Sequence, residues 1–300
     1  MSTDTTAKAT FDGSGLGQWT ESEVFEVTAE RIAEYAAATN DPIPAHRAGD
    51  VAPPVFAVVP VFTSMAPAAL EVAPVELLMR LVHGEQDFRF HRPIRPGDRL
   101  TARAKPTGYR SLATGSTVTV YAETRDAAGE LVNEQYLTAF FRGVDAGPGE
   151  GEHAPGHGFD EALRSSEPAL TAVQRIDEDQ TFRYAPASGD PVPIHLDDEL
   201  ARMAGLPGII NHGLCTMAFT SWAVLTELAG GDTARLRRLA VRFARPVLPG
   251  QEIVTRAWHA DPGPYSSDRA RTYAYETIVD DPDAGAVAVI RDGLAVIADR

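Results

Sequence analysis

Two side chains and one backbone group in this chain have the types and spacing for proton-transfer chemistry. Asp190 and His195 lie five residues apart in Tyr184-Ala185-Pro186-Ala187-Ser188-Gly189-Asp190-Pro191-Val192-Pro193-Ile194-His195, a Pro-punctuated stretch that reads as non-helical. Gly213 follows in Asn211-His212-Gly213-Leu214-Cys215-Thr216, at the mouth of an apolar run with helical period. A buried carboxyl can hold a proton, a neutral imidazole can take one, and an unpaired N–H at a helix start can steady developing negative charge. Taken singly, each residue has a bland role: Asp190 caps a turn, His195 is satisfied in the core, Gly213 permits close packing. Their conjunction is what favours catalysis.

The element that must position Gly213 is a helix over Gly213–Ala229. It contains no proline, and Leu214, Met217, Ala218, Trp222, Leu225 and Leu228 recur on its apolar side. At 1.5 Å per residue it is a rod of about 25 Å. Candidate strands follow at Leu236–Phe243, Glu252–His259, Arg271–Val279 and Ala286–Ile297. Earlier in the chain, Thr28 can cap a helix that carries Ile32, Tyr35 and Ala36 on one face, with Arg31 where a capping-box Glu would sit. From Pro53 to Ala73 the chain is apolar, but Pro54, Pro60 and Pro67 make any helix there short or kinked. Strand-like runs then fall near 81–90, 98–106, 116–124 and 131–142. Residues 1–16 read as a flexible tail and 143–165 as a Gly- and Pro-rich linker.

The chain is an internal repeat. Tyr35 through His46 lies over Tyr184 through His195 without a gap, an offset of 149, so Asp41 and His46 match Asp190 and His195. Arg89 through Gly97 lies over Arg242 through Gly250 at an offset of 153, as do Pro54 over Pro207 and Thr63 over Thr216. The second copy therefore has four extra residues between its His and its central helix. At the offset of 153, Gly213 matches Pro60, which has no N–H. The first copy, 17–142, keeps an acid–base pair without the donor and reads as a substrate-binding scaffold; the second, 166–300, reads as the catalytic one.

Composition excludes some classes. A formal charge of -15 opposes general nucleic-acid binding. No apolar run approaches the roughly 18 residues that span a bilayer, and no basic-then-apolar leader opens the chain, which points to the cytoplasm. The single cysteine, Cys215, allows no intrachain disulfide.

This tandem pattern resembles the MaoC-like (R)-specific enoyl-thioester hydratases and dehydratases. In each copy an aspartate is followed five residues on by a histidine, then by Pro and an apolar segment, and His212-Gly213 opens the helix of the second. The resemblance implies an α+β double hot dog, an antiparallel sheet wrapped round a central helix in each half, with the first half degenerate. It implies a hydro-lyase that adds water to 2-enoyl thioesters, or removes it, without cofactor or metal. Asp190 and His195 are then catalytic, and the Gly213 N–H holds the thioester oxygen. Tyr184, His212, Arg242 and Arg245 are substrate-binding candidates. The implied partners are an acyl thioester of coenzyme A or of an acyl carrier protein, and a second copy of the chain in a homodimer. The family usually has Asn two residues after the aspartate, where this chain has Val192.

Other signals are weaker. His212 and Cys215 are far short of a zinc signature, and Ser188 has no nucleophile elbow around it. Arg235, Arg237, Arg238, Arg242 and Arg245 form a basic run that reads equally as a phosphate or carrier-protein contact and as solvated strand positions. A hot dog thioesterase and a non-catalytic acyl-binding subunit stand as alternative functions.

Overall fold

In the computed structural model, which describes residues 7–260 and 269–300, one unit is built twice. The first copy holds β1 (Ala7–Lys8), β2 (Glu23–Glu26), β3 (Leu81–Phe90), β4 (Arg99–Leu112), β5 (Gly115–Arg125), β6 (Leu131–Arg142), β7 (Val144–Asp145) and β8 (Glu150–Gly151). Its helices are α1 (Ala29–Ala38), α2 (Pro44–Arg47) and α3 (Phe62–Leu70). The second copy holds β9 (Leu170–Arg175), β10 (Leu236–Phe243), β11 (Glu252–Ala260), β12 (Ala270–Asp281) and β13 (Gly285–Ala298), with α4 (Gln180–Ser188), α5 (Asp198–Met203) and α6 (Gly213–Ala229). The architecture is an α+β double hot dog.

The two copies share one sheet. Its order is β2-β4-β5-β6-β3-β10-β13-β12-β11-β9, and the halves join where β3 runs antiparallel to β10, with Phe88 opposite Leu239. Arg238 crosses this seam to grip Asp87 through two bonds of 2.9 and 2.8 Å. A bidentate pair of this kind, desolvated on both sides, fixes register as well as contributing attraction. Along β11, Ile253, Thr255 and Ala257 are buried while Glu252, Arg256 and His259 are exposed, the alternation of a sheet with one face against a core.

That core is α6 in the second copy. Leu214, Met217, Ala218, Val224 and Leu225 are all buried, and the helix ends at Gly230, whose φ of 66° suits a residue without a Cβ. In the first copy the equivalent rod is broken: Pro54–Val61 forms 3-10 turns that run into α3, with Pro60 and Pro67 inside. Each proline lacks the N–H that would extend the helical ladder. The α1 helix starts as its sequence predicts, with the Thr28 hydroxyl accepting from the Arg31 N–H at 3.2 Å.

Three stretches differ from their sequence reading. Residues 7–16 are not loose: β1 pairs with β7, and Phe11, 5% exposed, packs against Tyr109 and Phe141. Residues 1–6 lie outside the described residues. The 143–165 stretch is strapped to the body: Val144 is buried, β8 pairs with β4, and His157 Nδ1 bonds the Asp292 carbonyl at 2.5 Å. Gly and Pro set its turns, but pairing with β1 and β4 and the bond to β13 hold it in place. Finally, Tyr184–Ser188 is the end of α4, with Pro186 inside it, so only the part from Gly189 onward is non-helical. No helix among the described residues is long and apolar enough to cross a membrane.

Candidate active site

The site is built where α4 stops. The Ser188 hydroxyl donates back to the Tyr184 carbonyl at 2.8 Å, and Gly189 turns the chain out of the helix at φ +78°, a conformation that needs the missing Cβ. Asp190 comes next, and its Oδ1 accepts the Val192 N–H at 3.2 Å, a local Asx turn. Pro193–His195 then forms one 3-10 turn, which presents His195 beside Asp190.

Hydrogen bonds fix the state of His195. Its Nδ1 lies 2.9 Å from the Ile210 carbonyl. A carbonyl can only accept, so Nδ1 carries the proton and Nε2 keeps a free lone pair. His212, at the N-cap of α6, lies with its ring 3.8 Å from that of His195, tilted by 24°. Its Nε2–H donates to the Asp190 carbonyl at 3.2 Å and stands 4.0 Å from Asp190 Oδ2. One nitrogen or oxygen from each of Asp190, His195 and His212 falls within 4.8 Å of the others, a set that could in principle hold a metal ion. Because His212 Nε2 faces a carbonyl, it fits a proton-bearing nitrogen better than a metal-bearing one.

Burial sets the charges. Desolvation raises the Asp190 carboxyl above its usual range, against the pull of neighbouring His195. The same cause lowers His195, opposed by the Ile210 carbonyl and by Asp190. His212 is pushed down to about 3 by burial and then by His195. Near neutral pH the site therefore holds two uncharged imidazoles beside a carboxyl whose proton affinity burial has raised. Gly213 completes it: as the first residue of α6 its N–H has no partner within the helix. A Cβ there would sit 3.2 to 3.4 Å from the Phe243 ring, so glycine lets the helix start approach the wall. His83, from the first copy, backs Phe243 edge-on at 4.9 Å.

The first copy uses its matching pair differently. His46 Nδ1 bonds Asp41 Oδ2 at 2.7 Å, and Asp41 Oδ1 accepts the Ile43 N–H at 2.8 Å. His46 Nε2 is occupied by the Thr233 hydroxyl, and both members of the pair are buried. No lone pair of that imidazole is left for water.

Comparison with known proteins matches both halves. A family model described as "MaoC like domain" matches residues 161–280, and one described as "FAS1-like, dehydratase domain region" matches 14–135. The second copy carries a MaoC-like domain and the first a FAS1-like dehydratase domain region. It is 31% identical over 188 residues to a Mycobacterium tuberculosis protein named 3-hydroxyacyl-thioester dehydratase Y, covering 61% of this chain and 63% of that one. A Dictyostelium discoideum protein named probable enoyl-CoA hydratase 2 is 29% identical over 185 residues, covering 61% and 62%. The chain thus spans less than two thirds of the length of these curated relatives. A MaoC-like dehydratase structure from Phytophthora capsici superposes over the whole of both chains with a TM-score of 0.79 at 22% identity, a likeness of fold.

Against this family background, five of the residues singled out by sequence come together: Tyr184, Asp190, His195, His212 and Gly213. Arg242 and Arg245 do not join them. Arg242 is 55% exposed and faces Glu85 at 3.9 Å and Asp292 at 3.7 Å, and Arg245 is exposed. Two others of the basic run are structural: Arg235 bonds the Ala229 and Ala298 carbonyls, and Arg238 holds Asp87. Cys215 is buried, its thiol pushed up to about 12. Sequence reasoning missed the Ile210 carbonyl, which has no side-chain signal. It also missed Tyr35, whose hydroxyl meets that of Tyr184 at 3.2 Å; the repeat had already placed these two tyrosines in register.

Proposed function

We propose that the chain catalyses the reversible hydration of 2-enoyl thioesters to (R)-3-hydroxyacyl thioesters, with coenzyme A or an acyl carrier protein as the acyl carrier. The observation that carries this reading is the unprotonated Nε2 of His195, held by the Ile210 carbonyl beside a partly buried Asp190, whose pKa desolvation raises, and the open start of α6. In the hydration direction His195 Nε2 takes a proton from water, whose oxygen bonds to the β-carbon. The Asp190 carboxyl gives its proton to the α-carbon, and the Gly213 N–H accommodates the charge that develops on the thioester oxygen. In dehydration each step reverses. The names of the two curated relatives support the substrate class.

Residues 166–300 act as the catalytic half and 17–142 as the scaffold that closes the acyl pocket, with no cofactor. In this reading Arg242 and Arg245, exposed on either side of Phe243 in sequence, meet phosphates of the carrier from outside the catalytic cluster. The chain works in the cytoplasm as a homodimer. One assay with a short enoyl-CoA tests the reading. Loss of the conjugated enoyl-thioester absorbance without release of thiol supports it. Thiol release instead makes the protein a thioesterase, and neither signal makes it a binding subunit.

A further inference from the structure

We propose that His212 is a positioning residue for this pair: its Nε2–H holds the main chain at Asp190 while its ring backs the face of His195. The inference rests on the assignment of Asp190 and His195 as acid and base. It begins from how little else restrains them. Among the described residues the Asp190 carboxyl is bonded at Oδ1 only by the Val192 N–H, and the Val192 side chain cannot donate. His195 is held in its plane by one bond at Nδ1, about which the ring can still tilt.

His212 supplies both missing restraints. At 3.2 Å its Nε2–H fastens the Asp190 carbonyl, and the same nitrogen stands 4.0 Å from Oδ2, so a carboxyl oxygen that swings out leaves the N–H dipole. At 3.8 Å its ring closes one face of His195. Behind it, the Tyr184 ring lies 4.9 Å away and is itself tied to Tyr35. The Tyr184, His212 and His195 rings therefore form a row that begins on α4 and passes through the N-cap of the rigid α6. His212 Nδ1 is buried with no hydrogen-bond partner among the described residues, which leaves the Nε2–H tautomer as the one that satisfies the neighbouring carbonyl. A ring that stays uncharged can lie against His195 in both of its protonation states, and burial keeps His212 so.

The test compares His212→Phe, which keeps an aromatic face but cannot donate, with His212→Gln, whose amide N–H reaches near the Nε2 position. On a short enoyl-CoA we expect His212→Phe to lower kcat by at least about tenfold with KM changed less than about threefold, and His212→Gln to recover at least about threefold of that loss. Equal activity of the two variants, or a Phe variant within about twofold of wild type, overturns the proposal. If His212→Phe does not fold, His212→Gln decides alone: kcat within about threefold of wild type supports the proposal, and a loss of about tenfold or more overturns it. The NMR titration of the His195 ring needs no turnover. Burial lowers the His195 pKa and the Ile210 carbonyl raises it, each by an amount that depends on how the ring sits, so a shift of about half a pH unit or more in His212→Phe supports the positioning role and no shift overturns it. A wild-type protein without hydratase activity but with that shift would sink the functional reading and leave the positioning role standing.

Discussion

His46 Nε2 lies 2.7 Å from the Thr233 hydroxyl, so the acid–base pair of the first copy ends on a residue of the second. The buried Asp41 and His46 and the half-buried Thr233 form a chain that clasps the two halves. Cutting it leaves a buried polar atom without a partner, at about 1–3 kcal/mol. We expect Thr233→Val and His46→Gln each to lower unfolding free energy by about that amount and to leave kcat within about twofold. Urea denaturation paired with turnover checks this. A tenfold loss of kcat at an unchanged midpoint would move the chemistry to the first copy.

The second-copy pair should behave in the opposite way. Asp190→Asn and His195→Gln remove the proposed acid and base, each on the scale of at least about a hundredfold in kcat. The two side chains make few bonds to the rest of the fold, so melting temperatures should move by only a few degrees. Single-turnover rates with circular dichroism melts measure both quantities, and near-normal rates in either variant contradict the assignment.

Gly213 can be tested for its N–H and its missing Cβ separately. Gly213→Ala keeps the N–H but sets a Cβ 3.2 Å from the Phe243 ring, a contact that a shift of a few tenths of an ångström relieves. Gly213→Pro adds the same Cβ and removes the N–H at a helix position where proline is tolerated. The expected ratio is a kcat for the Pro variant at least about tenfold below that of the Ala variant, since a donor to a developing oxyanion is worth about 10²–10³ in rate. Equal kcat in the two would mean that the N–H does not touch the reacting oxygen.

Acid should destabilise the fold through its histidines. Burial lowers His195, takes His212 down to about 3 and takes His83 down to about 4. The unfolded chain protonates these rings near pH 6.5, and the folded one does not. Their stabilising contribution is therefore complete above about pH 6.5 and is lost as pH falls from there toward the folded values, at about 1.4 kcal/mol per pH unit for each proton taken up. Asp190, with its pKa raised, has the opposite sign: its contribution is present below the ordinary carboxyl range and is lost as pH rises through its folded value. Urea midpoints should fall between pH 6.5 and about pH 5, less steeply in His83→Gln. The acid limb of kcat/KM should lie below pH 6.5, because His195 must be neutral to accept a proton. Midpoints that rise over the same interval would contradict these charge states.

Much of this architecture is legible in the residues. Proline placement broke the first central helix and left the second whole, and β-rich runs located β3 to β6 and β10 to β13, because both signals are local. Phe11 in the supposed tail was not legible, since its partners Tyr109 and Phe141 lie far along the chain. Nor was Arg238, which looked like one more cation of a basic run until pairing of β10 with β3 set it beside Asp87. At the site, Asp190, His195 and Gly213 declared themselves by type and spacing. The Ile210 carbonyl that sets the His195 tautomer is a backbone group every residue has, and only the fold singles it out.

Val192 stands where the family resemblance leads one to expect Asn, and its surroundings decide what introducing the amide would do. Its side chain is 42% exposed, and the backbone N–H, not the side chain, reaches Asp190. An Asn there can keep its amide in water, so the stability change expected of Val192→Asn is within about 0.5 kcal/mol, that of an ordinary surface substitution. Rotated inward, the amide could add one bond to Asp190 Oδ2, but His212 already fixes the main chain at that residue. We therefore expect kcat on straight-chain enoyl thioesters to change by less than about threefold, equivalent to about 0.7 kcal/mol of barrier. A rise of tenfold or more, measured at saturating substrate, would show that the Asp190 carboxyl is under-restrained in the native chain and that the missing amide limits its rate.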